Sequence, residues 1–353
     1  MKDHPEQNQE LSEEQLHRHL IAASVIPTGN PWIDDALAGG LDKENLLLVA
    51  AKTGVGKTFF GVQLALFAAK KQNKVVYFAL EAEKHEIERR QLFYYTLRLL
   101  SQHYPNIPKP RYREWLHAGY DGAWHGVEKH ARQELELDTQ TLVTRYETGI
   151  YSPDMFKQDV EELIASEQKP DLIVLDHLHH FFLEGDEVEA LKKTIHSIKR
   201  LKEDLDAPIV ILAQLRKNDF GSHTKRTLPK YEDIRGTAAL TDIATDVLII
   251  SPVPDDKKEG LPPERVFPMY FHLAKSRTAP EAKEFAGIVS FDKNTGEFMK
   301  QYNLGKIKFA EDPELLTSGP SWAKNAVYPS ILTSPSYAKG KPYDSDLYEK
   351  RFR

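Results

Sequence analysis

One stretch limits the folds open to this chain: Leu46 to Ala69, which reads LLLVAAKTGVGKTFFGVQLALFAA. Five apolar residues without alternation, Leu46 to Ala50, predict a strand buried on both faces of a sheet. Phe60, Leu64 and Phe67 recur at helical spacing and predict a helix directly afterwards. Between them lies Ala51-Lys52-Thr53-Gly54-Val55-Gly56-Lys57-Thr58, a phosphate-binding loop with a strand before it and a helix after it. Backbone N–H groups can wrap a phosphate only where glycines such as Gly54 and Gly56 allow unusual dihedrals and close approach. Thr53, Gly54, Val55, Gly56, Lys57 and Thr58 are therefore the candidate nucleotide contacts. Lys57 would bridge the β- and γ-phosphates, and the Thr58 hydroxyl would hold Mg²⁺. A chain with this loop is expected to bind a nucleoside triphosphate.

Length and composition bound the rest. A chain of 353 residues with 41% hydrophobic and 28% charged residues has material for a large core and a hydrated surface. The acidic, polar start MKDHPEQNQELSEEQ is unlike a secretory signal, and no apolar run reaches the roughly 20 residues of a membrane span. With no cysteine, disulfides and thiolate zinc modules are excluded, which fits a cytoplasmic setting. A formal charge of −6 argues against a generally basic surface, so any nucleic-acid contact must be local.

In chain order, Ser12 with Gln15 marks a helix start, and Leu16, Leu20 and Ile21 would share one face. That helix would lie on its own domain or dock on a neighbouring subunit. Trp32 to Leu41 reads as one helix closed by Gly39 and Gly40. Val75 to Leu80 is a second buried strand, ending at Glu81. Ligands in open α/β sheets lie beyond the carboxyl ends of the strands, so a carboxylate there can activate a water. Glu83 reads instead as a solvated helix-start residue.

Residues 101–149 look less regular, with prolines at 105, 108 and 110. The histidines at 103, 117, 125 and 130 lack tight ligand spacing. Ser152-Pro153 opens a helix with a buried stripe of Phe156, Val160, Leu163 and Ile164. Asp171 to Asp176 is a third strand, placing Asp176 on the magnesium side of the site. His177, His179 and His180 follow; a zinc site is conceivable, with ordinary packing or polar contacts the plainer reading. Val188, Leu191, Ile195, Ile198, Leu201 and Leu205 mark a long amphipathic helix. Pro208 to Ala213 is a fourth strand ending at Gln214, placed to sense a γ-phosphate or to make a loop hydrogen bond.

Residues 216–230 carry five Lys or Arg against one Asp. This stretch, including Arg216, Lys217, Lys225 and Arg226, is either a solvated loop or a nucleic-acid contact coupled to nucleotide state. Asp246 to Ile250 and Met269 to Leu273 are further strands, and Asn294-Thr295-Gly296 predicts a closing hairpin. Three regions result: an arm over 1–25, a motor over 26–304, and a tail over 305–353 that is poorly ordered or binds a partner.

Together these motifs resemble the ATPase domain of ring-forming replicative helicases of the DnaB type, especially their phage and Twinkle-like relatives. The matching pieces are Ile26-Pro27-Thr28-Gly29, the phosphate loop, Ala79-Leu80-Glu81, Leu175-Asp176-His177 and Ala213-Gln214-Leu215. Asp233 to Leu240, the Lys275-x-Arg277 pair, and Ala286-Gly287 with Thr295-Gly296 complete the set, over roughly residues 26–303. The resemblance implies a RecA-like fold, ATP and Mg²⁺ at the interfaces of a hexameric ring, and single-stranded DNA in its channel. It implies that Glu81 is the catalytic glutamate, Asp176 the magnesium-side aspartate and Gln214 the γ-phosphate sensor. Lys275 and Arg277 would serve the neighbour's ATP, while Arg235, Gly236 and Thr237 would touch the DNA backbone. A 5′–3′ polarity rests on the resemblance alone. About twenty-five residues precede the motor, so no collar or primase domain is expected there, and a loader or replication partner would meet the arm or the tail. Two other readings stay open: a regulatory or assembly ATPase that switches protein contacts, and a strand-exchange filament, which the Lys275-x-Arg277 arrangement disfavours.

Overall fold

The structure is a computed structural model. It describes residues 25–306 apart from 38, 105, 108, 118–123, 148–150, 167, 182–186, 216–228, 230–232, 235–237, 253–265, 278–284 and 293–296. The predicted arm helix, Arg216, Lys217, Lys225, Arg226, Arg235, Gly236, Thr237 and the tail beyond 306 lie outside the described residues.

A nine-stranded sheet organises the molecule, in the order β3-β2-β4-β5-β1-β6-β7-β8-β9. β1 (Leu46–Ala51), β2 (Val75–Ala79), β3 (Leu142–Tyr146), β4 (Leu172–Asp176), β5 (Ile209–Gln214) and β6 (Asp246–Pro252) run parallel. β7 (Val266–Ser276), β8 (Phe285–Asp292) and β9 (Glu297–Lys306) continue the sheet antiparallel, so the closing hairpin is present.

Helices cover both faces, which explains the unbroken apolar strands. Leu47 and Val49 of β1 point into one core and Leu46, Leu48 and Ala50 into the other, following the two-residue period of a strand. The first core takes α2 (Lys57–Lys70) and α3 (Lys84–Gln102), and the second takes α6 (Pro153–Ala165) and α7 (Glu187–Leu205). Ser152 caps α6 by accepting from the Met155 N–H at 3.2 Å. On α7, Leu191, Ile195, Ile198, Leu201 and Leu205 are all buried, as their spacing predicts.

Two expectations needed correction. The helix predicted over Trp32 to Leu41 is only α1 (Pro31–Ala36), capped by Asn30. Gly39 and Gly40 adopt φ of 133° and 135°, turning the chain so that Leu41 bridges Ile26. The region read as irregular contains α4 (Tyr112–His117), α5 (His125–Asp138) and edge strand β3. Asp138 holds α5 to its neighbours, accepting from Tyr95 at 2.9 Å and pairing with Lys70 at 3.1 Å. The remaining helix, α8 (Ala238–Ile243), leads into β6. No helix among the described residues is long and apolar enough to cross a membrane.

Candidate nucleotide site

The strand registers gather the site. Ala51 at the end of β1 is level with Gln214 at the end of β5, and Ala79 of β2 is level with Asp176 of β4. The phosphate loop, Glu81, Asp176 and Gln214 thus reach one carboxyl edge of the sheet, where doubly wound folds bind ligands. A cleft of about 540 Å³ opens there, lined by Thr53, Gly54, Gly56, Lys57, Thr58, Glu81 and Gln214. That volume lies within the usual range for small-ligand sites.

Gly54 and Gly56 have φ of 77° and 103°, a region where a side chain is strained, and Gly56 directly precedes α2. The start of α2 therefore faces the cleft, and the first N–H groups of a helix, which lack partners within it, are suited to an anion. Val55 turns its side chain into the core and can offer only its backbone. Lys57 is 7% exposed; burial pushes its pKa down, opposed by the carboxylates of Asp176 and Glu81.

Asp176 is fully buried. Burial raises its pKa, while hydrogen bonds from Tyr77 and Thr58 and the charge of Lys57 oppose the rise and Glu81 adds to it. The Tyr77 hydroxyl donates to Asp176 Oδ2 at 2.7 Å, and burial pushes the phenol well above its ordinary range. Asp176 Oδ1 has no hydrogen-bond partner among the described residues. An orphaned buried carboxylate oxygen next to the Thr58 hydroxyl fits a hard, oxygen-seeking cation.

Glu81 and Glu83 separate clearly. Glu83 is the N-cap residue of α3 and pairs with His85 at 3.1 Å. Glu81 lines the cleft, and its Oε2 lies 3.1 Å from His177 Nε2. The same His177 nitrogen lies 3.0 Å from the Gln214 side-chain amide. His177 is 1% exposed, and burial, with His180, His179 and Lys57 adding to it, pushes its pKa down to about 3. The Nε2 of this neutral ring lies between the two side chains expected to face the γ-phosphate, donating to Glu81 or accepting from the Gln214 amide according to its tautomer. Of the readings open for His177, packing, polar contacts or zinc, the structure shows polar contacts, to partners at the ends of other strands. Glu86 and Arg90 of α3, which no motif in the sequence singles out, also line the cleft beside Phe59, with the Arg90 guanidinium 4.5 Å from the Phe59 ring centroid.

Lys275 and Arg277 are elsewhere. Ser276, between them, pairs with Asp246, which is level with Leu47 near the start of β1. Both cations hydrogen-bond to backbone carbonyls in the last turn of α8: Lys275 Nζ to Thr241 and Asp242, and Arg277 to Asp242 at 3.1 Å. Burial and the charge of Arg277 push the Lys275 pKa down, against Asp242 and Asp246. The structure does not bring this pair to the chain's own phosphate loop.

Comparison with known proteins agrees with this architecture. Residues 25–299 match the family described as DnaB-like helicase C terminal domain. The chain is 28% identical over 219 residues to the replicative DNA helicase DnaB of a Synechocystis species, covering 59% of this chain and 22% of that protein. It is 25% identical over 301 residues to the Geobacillus stearothermophilus replicative DNA helicase DnaB, covering 82% of this chain and 58% of that protein. The chain thus spans well under two thirds of these relatives. Among solved structures, the ATPase domain of the protein G40P superposes with a TM-score of 0.63 at 18% identity, covering 84% of this chain and 95% of that one. A DnaB-like replicative helicase, described with its interactions with primase, gives 0.62 at 18% identity, covering 85% and 67%. The motifs, the sheet order and a match over most of the chain agree: this chain belongs to the DnaB-like helicase C-terminal domain family.

Proposed function

We propose that the chain is an ATP-driven motor that moves along single-stranded DNA and unwinds duplex, working as a ring with ATP held between subunits. One observation carries this reading: Lys275 and Arg277 sit at the edge of the sheet opposite their own phosphate loop. Ser276 is level with Leu47, four residues before Ala51, which is roughly 13 Å along the strand. A cationic pair held there is out of reach of its own nucleotide and available to a neighbour's.

Within the site, Lys57 and the loop N–H groups would hold the phosphates of ATP, and Thr58 and Asp176 would hold Mg²⁺. When bound, the metal supplies charge neutralisation on the phosphate oxygens. Glu81 takes the proton of the attacking water, and His177 keeps that carboxylate in line with Gln214. Arg277 suits a developing negative charge because its planar guanidinium stays ionised and pairs in a bidentate way.

DNA would be met by Arg216, Lys217, Lys225, Arg226, Arg235, Gly236 and Thr237. Leu215 and Ile234, which bracket the basic stretch, bridge each other directly after Gln214. Movement of Gln214 with the γ-phosphate would therefore be felt at both ends of that segment. A loader or replication partner would engage the arm or the tail, and the cytoplasm is the setting that fits.

The experiment is ATP turnover with and without single-stranded DNA, alongside strand displacement on a forked duplex. Stimulation by single strands together with displacement supports the motor. Turnover indifferent to DNA, with no displacement, would favour a regulatory or assembly ATPase.

A further inference from the structure

We infer that Glu81, His177 and His180 form a three-ligand site for a borderline-soft divalent metal such as Zn²⁺, and that a metal bound there arrests ATP hydrolysis. His177 sits at the end of β4, and the turn Leu178–His180 brings His180 back so that the two ring centroids are 4.5 Å apart. Glu81 arrives from the end of β2, its Oε2 3.1 Å from His177 Nε2 and its Oε1 3.9 Å from His180 Nε2. One ligand atom from each residue lies within 4.8 Å of the others.

A tetrahedral metal with bonds of about 2.0–2.1 Å holds its ligand atoms roughly 3.3 Å apart. The two carboxylate oxygens lie 3.1 Å from His177 Nε2 and 3.9 Å from His180 Nε2, and one ligand atom from each residue falls within 4.8 Å of the others, so a contraction of at most about 1.5 Å reaches that spacing. The movable members are the ones that must adjust: the Glu81 and His180 side chains are 42% and 40% exposed, while His177 is fixed at 1%. Two imidazoles and one carboxylate, with a fourth position open to the cleft, suit zinc, cobalt or nickel. Magnesium prefers oxygen ligands in an octahedron, so this site is distinct from the Thr58–Asp176 side.

His177 Nδ1 has no hydrogen-bond partner among the described residues. Metal-bound histidines normally anchor that second nitrogen, and its absence weakens a site by about 10- to 100-fold. The site therefore suits a reversible inhibitor better than a resident structural ion. Metal binding rests on this geometry alone, whereas the arrest of hydrolysis also rests on Glu81 being the base.

The test uses tag-free full-length protein in excess Mg²⁺ without nucleotide, titrated with Co²⁺ and followed by visible absorption. One Co²⁺ per chain should give a ligand-field spectrum that Zn²⁺ abolishes. The midpoint should move by about tenfold or more in His180→Ala and in Glu81→Gln, since each removes one of three ligands. In parallel, Zn²⁺ should inhibit wild-type ATP turnover reversibly, with chelator restoring it. His180→Ala, compared with its own metal-free rate, should need about tenfold more Zn²⁺. No Co²⁺ spectrum in the wild type, or the same titration in both variants, would overturn the site. Co²⁺ binding as expected with no Zn²⁺ inhibition would keep the metal site and remove Glu81 from the role of base.

Discussion

Ser276 donates its hydroxyl hydrogen to Asp246 Oδ1 at 2.6 Å, pinning the backbone between Lys275 and Arg277 to the start of β6. Asp246 is fully buried and accepts two further bonds at 2.7 Å on Oδ2, from Asn45 and Thr245. The carboxylate thus ties together the entrance to β1, the entrance to β6 and the end of β7. Ser276→Ala removes one charge-assisted bond and should cost about 1–3 kcal/mol of stability. Because the anchor lies between the two cations, turnover should fall while ATP binding holds. Denaturant unfolding and nucleotide binding measured on the same sample check this; unchanged stability and turnover would mean that the anchor does not matter.

The two glutamates after β2 should behave differently. Glu81→Gln is expected to bind ATP and Mg²⁺ and to turn over about 10²- to 10⁴-fold more slowly, the usual contribution of a general base. Glu83→Gln, which loses only an exposed pair with His85, should stay near the wild-type rate. Lys57→Ala should fail to bind nucleotide at all. Single-turnover kinetics on the two glutamine variants discriminates; a fast Glu81→Gln with a slow Glu83→Gln would reverse the assignment.

Tyr77 supports Asp176 from the neighbouring strand. Tyr77→Phe keeps the ring but leaves the buried carboxylate short of a donor, which should destabilise the fold by about 1–3 kcal/mol. Added Mg²⁺ should recover part of that loss if Asp176 is on the metal side. Thermal unfolding with and without Mg²⁺ reads both effects, and equal Mg²⁺ stabilisation in Tyr77→Phe and Asp176→Asn would argue against the metal role.

DNA contact should be separable from hydrolysis. Arg235→Ala, and Lys225→Ala with Arg226→Ala, should weaken single-strand binding while basal turnover continues. Each lost phosphate contact should flatten the salt dependence by about 0.7 log units of affinity per log unit of salt. Binding titrations at several salt concentrations test this; unchanged affinity and slope in both variants would remove these residues from the interface.

What was legible in the sequence follows from where the signals are local. The strand, loop and helix from Leu46 to Ala69 could be read because every property they need lies within one continuous segment. The strand ends Glu81, Asp176 and Gln214 could be read for the same reason, since an unbroken apolar run ends at each polar residue. β3 was missed because Leu142 to Tyr146 sits at the sheet edge, only partly buried, with Thr144 and Arg145 breaking the apolar run. A polar contact at His177 was open from the sequence, but its partners Glu81 and Gln214 were not legible, because the link joins the ends of three strands and leaves no trace in local spacing. The position of Lys275 and Arg277 depends on β7 running antiparallel to β6, which sends the pair to the edge away from the phosphate loop. No periodicity encodes that direction.

The most direct test of a shared ATP site mixes two inactive proteins. Arg277→Ala should bind ATP normally and hydrolyse it poorly, whereas Lys57→Ala should not hold the nucleotide. Mixed under conditions that exchange subunits, some junctions would join an intact phosphate loop to an intact Arg277 from the neighbouring subunit. The measurement is steady-state ATP turnover across the full range of mixing ratios. The account predicts recovery of turnover at intermediate ratios, above either protein alone. No recovery at any ratio, with subunit exchange demonstrated, would contradict it and leave Arg277 without a role in a neighbour's site.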